Sequence, residues 1–221
     1  RRRGVKKALI FNITRDFIQV QSVKLKLIDN NIGYIRLTSF NENSSNQIKN
    51  KLKKLSKDNN IKGYILDLRN NPGGLLNQAV EVTDRFLNKE NLIVYTKGRS
   101  NEQNMRFTSH DKVAGVSYPL IILVNSGSAS ASEIVAGALQ DLNRAIILGT
   151  QTFGKGSVQT NIPLSDGSAL RLTTARYYTP SGRVIQENGI EPDIIVEMKP
   201  QNKFEKKRGK KDEPEEKTRL R

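Results

Sequence analysis

Between Pro119 and Leu142 the chain passes from a short apolar run, Pro119 to Val124, through Asn125-Ser126-Gly127-Ser128-Ala129-Ser130 into the Ala-rich stretch Ala131 to Leu142. The run is bounded by Pro on one side and Asn-Ser-Gly on the other, so it reads as a buried strand. The stretch behind it places Ile134, Ala138 and Leu142 at helical spacing, and its Ala, Leu and Glu content favours a helix. A second such unit stands earlier. Gly63 to Leu68 reads as a strand, Arg69-Asn70-Asn71-Pro72-Gly73-Gly74 stops it, and Leu75 to Leu87 returns to helical spacing. Strand, polar corner and helix in direct succession build a sheet with crossover helices, whose ligands sit at the carboxyl ends of the strands. Both corners leave a strand and enter a helix, so they are expected at the same end of one sheet.

The rest of the chain fits an α/β class. Ile32 to Leu37, Leu92 to Thr96 and Ala145 to Leu148 predict strands, and Gln47 to Leu55 a helix with Ile48, Leu52 and Leu55 on one face. Lys7 to Val23 alternates loosely and predicts one or two strands, whereas the polar Lys97 to Val113 predicts a loop. Ser157 to Pro163 and Ala169 to Ala175 flank Ser165-Asp166-Gly167, a hairpin signal. Ile194 to Val196 predicts the last strand.

At 221 residues the chain is long enough to bury a real core, made of aliphatics because Trp is absent and aromatics are 6%. The absence of cysteine excludes disulfides, thiolate metal sites and Cys nucleophiles. No window approaches the roughly 20 apolar residues of a membrane span. The net charge of +15 invites a nucleic-acid reading, but +6 of it lies in residues 1–30 and +5 in residues 199–221, leaving +4 between them. The Lys/Glu-rich stretch Lys203 to Arg221 predicts a solvated, disordered tail. Aromatics are not interleaved with the basic runs, which speaks against nucleic acid.

A serine at a strand-to-helix corner has two uses. It caps the helix, the ordinary case, or it acts as a nucleophile where the first helical N–H groups lack partners and favour negative charge. A nucleophile needs a base. The one histidine, His110, stands in Ser109-His110-Asp111, a string that mimics a triad although adjacent residues do not converge on one point. A lysine serves instead if burial lowers its pKa. Lys155 lies between Gly154 and Gly156, just after Ile146-Ile147-Leu148, away from the charged surroundings of most other lysines. Gly-Lys-Gly alone is ordinarily an exposed turn, and Gly156 breaks the phosphate-loop pattern, which needs Ser or Thr there. Gln159 is placed to orient the amine. The N–H of Ala131 and that of Gly73 or Gly74 are candidates for an oxyanion hole.

Leu68-Arg69-Asn70-Asn71-Pro72-Gly73-Gly74, then Gly127-Ser128-Ala129-Ser130-Ala131-Ser132-Glu133-Ile134-Val135-Ala136-Gly137-Ala138-Leu139-Gln140-Asp141, then Thr152-Phe153-Gly154-Lys155-Gly156-Ser157-Val158-Gln159 resemble the C-terminal processing (tail-specific) peptidases. These are Ser/Lys-dyad proteases related in fold to the Clp peptidase and crotonase enzymes. Arg176 to Gly182 and Gly189 to Asp193 resemble the family's closing segments. The resemblance implies a Clp/crotonase-like sheet with crossover helices, with β-hairpin segments near both ends. It implies Ser130 as nucleophile, Lys155, 25 residues on, as base, and Gln159 as the residue orienting the lysine. It further implies an oxyanion hole from the N–H groups of Ala131 and Gly73, with Ser128 and Ser132 left to capping and packing. No metal or cofactor is implied. Substrates would be proteins or peptides bound in extended form, with a homo-oligomer or an adaptor protein as further partners and no nucleic acid. An extracytoplasmic location, the bacterial periplasm or cell envelope, follows from the same resemblance.

Residues 1–23 resemble the last strand of a PDZ domain with its linker, most of that domain being absent; 24–200 form the protease core and 201–221 the charged tail. The alternative from another class is a non-catalytic basic binding module for nucleic acid or cell-envelope partners. For Lys155 to act as a base its pKa must fall below the ordinary value of about 10.4. No carboxylate lies between Gly149 and Leu164, so Lys155 is expected to be buried beside Ser130.

Overall fold

The computed structural model describes residues 11, 13, 14, 21–29, 31–55, 60–110 and 118–197. The strands expected between Lys7 and Val20 and the tail from Lys203 lie essentially outside the described residues. In chain order the elements are β1 (Val23–Ile28), β2 (Ile32–Leu37), α1 (Ser44–Leu55), β3 (Gly63–Asp67), α2 (Leu76–Asp84), β4 (Leu92–Gly98), β5 (Arg106–Thr108), β6 (Leu120–Val124), α3 (Ala131–Asp141), β7 (Ile146–Gly149), β8 (Ser157–Pro163), β9 (Ala169–Tyr178) and β10 (Ile194–Ile195). A single 3-10 turn stands at Asn101–Gln103.

The strands form two sheets rather than one. The first has the order β1-β2-β3-β6-β7-β10, and the second β5-β4-β9-β8. In the first, β1 is antiparallel to β2 and all other pairs are parallel. Parallel strands are covered on both faces, which is why β3 and β6 read as near-continuous apolar runs. Leu66, Ile122, Val124 and Ile147 are fully buried at their centre. The second sheet is antiparallel throughout.

Two elements escaped the periodicity. β1 alternates Lys24 and Lys26 with apolar residues at the margin of the first sheet, a weak signal on a half-exposed strand. Within Lys97 to Val113, the 3-10 turn and β5 replace an expected loop. Side-chain bonds build them: the Thr96 hydroxyl donates to the Gln103 carbonyl at 2.6 Å, and the Asn104 and Gln103 side chains accept from the N–H groups of Gly98 and Arg99. Such polar side-chain turns carry no hydrophobic period.

Helix α3 is the axis of the molecule, buried continuously from Ala131 to Leu139. Gly137 permits this. A Cβ there would stand 2.8 Å from both Ile190 and Thr179, so the closing segment packs directly on the helix backbone. That segment is also stapled electrostatically. Asp141 accepts the Ser181 N–H at 2.8 Å and pairs with Arg183, while Gln140 donates to Asp193, whose carboxylate receives the Ile147 N–H. Burial alone would raise the Asp141 carboxyl, but bonds from Thr179 and Ser181 and the Arg183 charge outweigh it and hold the group below its ordinary value.

Candidate active site

The two strand-to-helix corners meet, as both must if they leave parallel neighbouring strands at the same end. The Ala129 N–H donates to the Asn71 carbonyl at 3.0 Å, and the Asn70 N–H donates to the Asn125 side chain at 2.9 Å. Ser128 and Ser132 are fully buried, and their hydroxyls donate to the carbonyls of Leu68 and Asn71. They bolt one corner to the other.

Ser130 stands at the N-cap of α3 with φ +56° and ψ −113°. A non-glycine residue in that sparsely populated region holds about 1 to 3 kcal/mol of strain and persists only where its surroundings enforce it. A sharp strand-to-helix turn of this kind projects a serine hydroxyl away from the backbone. Gly73, at φ +102°, presses against it: a Cβ there would lie 2.9 Å from the Ser130 Cβ and 2.8 Å from the Ala129 carbonyl oxygen. Only glycine leaves room for that approach.

Glu133 is the residue that sequence reasoning missed. Its carboxylate is fully buried and accepts four hydrogen bonds: the Ser130 N–H at 2.7 Å, the Lys155 N–H at 2.9 Å, and the Gly154 N–H and Thr152 hydroxyl at 2.6 Å each. A buried carboxylate is tolerated when its lone pairs are filled in this way. The available signal was the Ser-x-x-Glu spacing of a capping box. Here the Glu133 carboxylate takes the Ser130 N–H, and the Glu133 N–H donates to the Ser130 carbonyl at 2.9 Å. The side chain that closes the box therefore also anchors the loop of Lys155.

Lys155 departs from expectation. Its backbone is fixed, but its side chain is exposed, and among the described residues its ammonium makes no hydrogen bond or ion pair. Thr152, Gly154 and Gly156 are buried while Gln151, Phe153 and Lys155 are exposed, with Gly154 at φ +89° turning the chain between them. Glu133 seizes the Gly154 and Lys155 N–H groups and so fixes which residues face outward. Gln159, also exposed, lies four positions on, in β8. No hydrogen bond joins Lys155 to Ser130 or Gln159 among the described residues.

The candidate oxyanion donors differ from one another. Ala131 is buried, and its N–H, the first of the helix, has no partner among the described residues. The Gly73 N–H is engaged, donating at 3.0 Å to the side-chain oxygen of Asn71, which is itself buried and bonded to the Leu37 carbonyl. Gly74 bridges Phe40 in parallel fashion, with Phe40 N–H bonded to the Gly73 carbonyl and Leu75 N–H to the Phe40 carbonyl. That pattern turns the N–H of Gly74 away from Phe40, and it too has no partner among the described residues.

Behind the Asn70–Gly74 corner lies an ionic cluster. Asp67 is fully buried at the end of β3 and accepts from Tyr34 at 2.5 Å, from Arg36 at 2.8 Å, and from the Arg69 guanidinium at 2.8 and 2.9 Å. Burial pushes its carboxyl up, but the bonds from Arg69 and Tyr34 prevail and hold it low. The same contact raises the Arg69 guanidinium. His110 lies elsewhere, its N–H bonded to Asp84, and the Ser109 hydroxyl is spent on the Asn88 carbonyl. Among the described residues no His, Asp and Glu group is arranged to hold a metal ion, and no helix is long and apolar enough to cross a membrane.

The chain is 54% identical over 198 residues to a carboxy-terminal-processing protease of Bartonella bacilliformis, covering 88% of this chain and 45% of that protein. It is 39% identical over 187 residues to the carboxy-terminal processing protease CtpA of Bacillus subtilis, covering 85% of this chain and 40% of that one. It thus spans less than half the length of either relative. Among solved structures, the photosystem II D1 C-terminal processing protease superposes with a TM-score of 0.73 at 34% identity, over 83% of this chain and 50% of that one. The sequence pattern of Peptidase family S41 runs over residues 31–196, across both corners, the Lys155 loop and the closing segment, and the chain belongs to that family.

Proposed function

We propose that this chain is the proteolytic core of a serine endopeptidase that processes or degrades proteins from their C-terminal region. Ser130 Oγ attacks the peptide carbonyl carbon as neutral Lys155 takes the hydroxyl proton. The oxyanion is held by the Ala131 N–H and by Gly73, or by Gly74 while Asn71 keeps the Gly73 N–H. Lys155 returns the proton to the amine as the C–N bond breaks, and water, deprotonated in turn by Lys155, releases the acyl group. Gln159 orients the amine.

One observation carries the reading: a single buried carboxylate, Glu133, binds the backbone of the strained Ser130 and of Lys155 together. Because the Lys155 side chain is exposed before substrate arrives, the covering that favours its neutral form comes from the bound polypeptide, which excludes water from the site. Phe153 and Leu75, exposed apolar residues next to the Lys155 and Gly73 turns, suit a protein chain better than a charged small molecule. An extracytoplasmic location accompanies this reading and rests on the family resemblance.

Cleavage of an unfolded protein substrate tests it. Ser130→Ala and Lys155→Ala each abolish cleavage with the circular dichroism spectrum unchanged, and His110→Ala cleaves at the parent rate. Retained cleavage by Lys155→Ala would remove the lysine from the mechanism.

A further inference from the structure

The four strands of the second sheet carry no Asp or Glu. They carry instead Lys97 on β4, Arg106 on β5, and Arg171 and Arg176 on β9. Elsewhere the fold gives its arginines acidic partners: Arg36 and Arg69 share Asp67, and Arg183 holds Asp141. Lys97, Arg106 and Arg176 form no ion pair among the described residues.

The register brings these three to one face. Tyr95 stands opposite Tyr178 and opposite Arg106, and Lys97 stands opposite Arg176. Successive side chains of a strand point to opposite faces. Val94, Thr96, Ala175 and Tyr177 are buried on the core side, so Tyr95, Lys97, Arg176 and Tyr178 line the other. The two tyrosine rings stack with centroids 5.1 Å apart and planes at 15°. Lys97 Nζ lies 5.5 and 5.3 Å from the ring centroids of Tyr95 and Tyr178, and the Arg106 guanidinium 6.0 Å from that of Tyr95. The faces of the rings attract both cations without cancelling their charge.

Like charges directly opposite on adjacent strands are destabilising, and Lys97 and Arg176 are such a pair. The pair is exposed, rests beside an aromatic platform and has no carboxylate anywhere in its sheet. An anion bound between the two would relieve the repulsion. The position of the face says which anion. On its other side Arg176 stands opposite Ser157, which lies two residues beyond Lys155. A polypeptide held at Ser130 and Lys155 passes beside this face, and its own Asp and Glu side chains are the anions it brings.

We propose that the Tyr95–Tyr178 face of the second sheet is an exosite for acidic segments of protein substrates. Carboxylates remote from the bond being cut bridge Lys97 and Arg176, with Arg106 as a further contact. The proposal rests on the proteolytic reading above and narrows its substrate class to proteins that carry an acidic segment outside the cleavage site.

The experiment uses the inert Ser130→Ala chain and a rhodamine-labelled peptide alternating Glu and Ser, with binding read by anisotropy at low salt. Adding Lys97→Gln and Arg176→Gln weakens binding about fivefold. Removing two charges from α1 instead, with Lys49→Gln and Lys54→Gln, changes it less than about twofold, although those lysines are also exposed. A peptide with Gln in place of Glu does not distinguish the chains. Arg176→Glu sets a carboxylate opposite Lys97, so it abolishes peptide binding while raising the thermal midpoint. Equal weakening by the two pairs of substitutions would reduce the effect to net charge and overturn the proposal, as would a lowered midpoint for Arg176→Glu. Co-sedimentation with phosphatidylglycerol vesicles that depends on Lys97 and Arg176, and that the peptide fails to compete, would give the face to a membrane surface and also overturn it. With Ser130 intact, fusing the Glu/Ser segment to an unfolded protein substrate lowers KM and leaves kcat unchanged; an unchanged KM would count against the exosite. Turnover of a small activated ester, which has no acidic segment, reports on the catalytic reading separately.

Discussion

Ser130 and Lys155 are held by the same carboxylate, at 2.7 and 2.9 Å from Glu133 to their backbone N–H groups, yet their side chains are in opposite conditions. Ser130 sits half-buried in a strained turn, with Gly73 close against it and its N–H held by Glu133. Lys155 has an equally fixed backbone and an exposed, unbonded ammonium. Backbone order and side-chain order are separate properties. The fold has prepared the path of the chain at both residues, but the environment of the functional group at only one. A serine hydroxyl tolerates preparation at little cost, whereas burying an ammonium in advance costs several kcal/mol unless it is paired or neutral.

The strongest way to break this comparison is to remove what the two residues share. Glu133→Ala leaves the N–H groups of Ser130, Gly154 and Lys155 and the Thr152 hydroxyl without their acceptor. It should lower unfolding free energy by about 3 to 5 kcal/mol in urea denaturation. Glu133→Gln, which keeps the shape but offers one acceptor oxygen, should fall between the two. A parent-like midpoint for Glu133→Ala would mean that the two loops hold their places without it.

Asp67 sharpens the comparison from behind the Asn70–Gly74 corner. Asp67→Asn strands Arg36 and Arg69 around a neutral amide and should cost about 3 kcal/mol at neutral pH. The folded carboxyl lies below its unfolded value. Its contribution is therefore complete above the unfolded pKa of about 3.9 and is lost as pH falls below that value through the folded one. The parent and Asp67→Asn should accordingly converge in stability on acidification, and a gap that stays constant down to strong acid would refute the assignment.

A smaller effect isolates the strain at Ser130. Glycine adopts φ +56° freely, so Ser130→Gly should gain roughly 1 kcal/mol over Ser130→Ala, which keeps the strain and loses only the hydroxyl. Equal denaturation midpoints for the two variants would show that the turn is not strained. The smallest effect belongs to Lys155. With an exposed, unpaired side chain, Lys155→Ala should shift stability by less than about 0.5 kcal/mol, even though cleavage is lost. A marked stabilisation would mean instead that the ammonium is buried at a cost in solution.

Much of this was legible in the chain itself. The apolar runs of β3, β6 and β7 and the spacing of α3 are local signals, because a strand buried on both faces and a helix packed all round must be apolar whatever surrounds them. Both corners were expected at the same end of one sheet, and Gly73 and Ser130 meet there. Local pattern did not disclose the split into two sheets, since the pairing of β4 with β9 joins residues some eighty apart in sequence. Nor did it disclose the second role of Glu133. A Ser-x-x-Glu spacing specifies a helix start and nothing about a loop twenty-two residues on. The exposure of Lys155 was likewise out of reach: which residues of that loop turn outward depends on which N–H groups a distant carboxylate claims. Sequence determined which segments are strands and helices and which residue types crowd the corners, because those preferences are local. Tertiary structure alone decided which side chains face one another, because that is set by contacts between segments far apart in the chain.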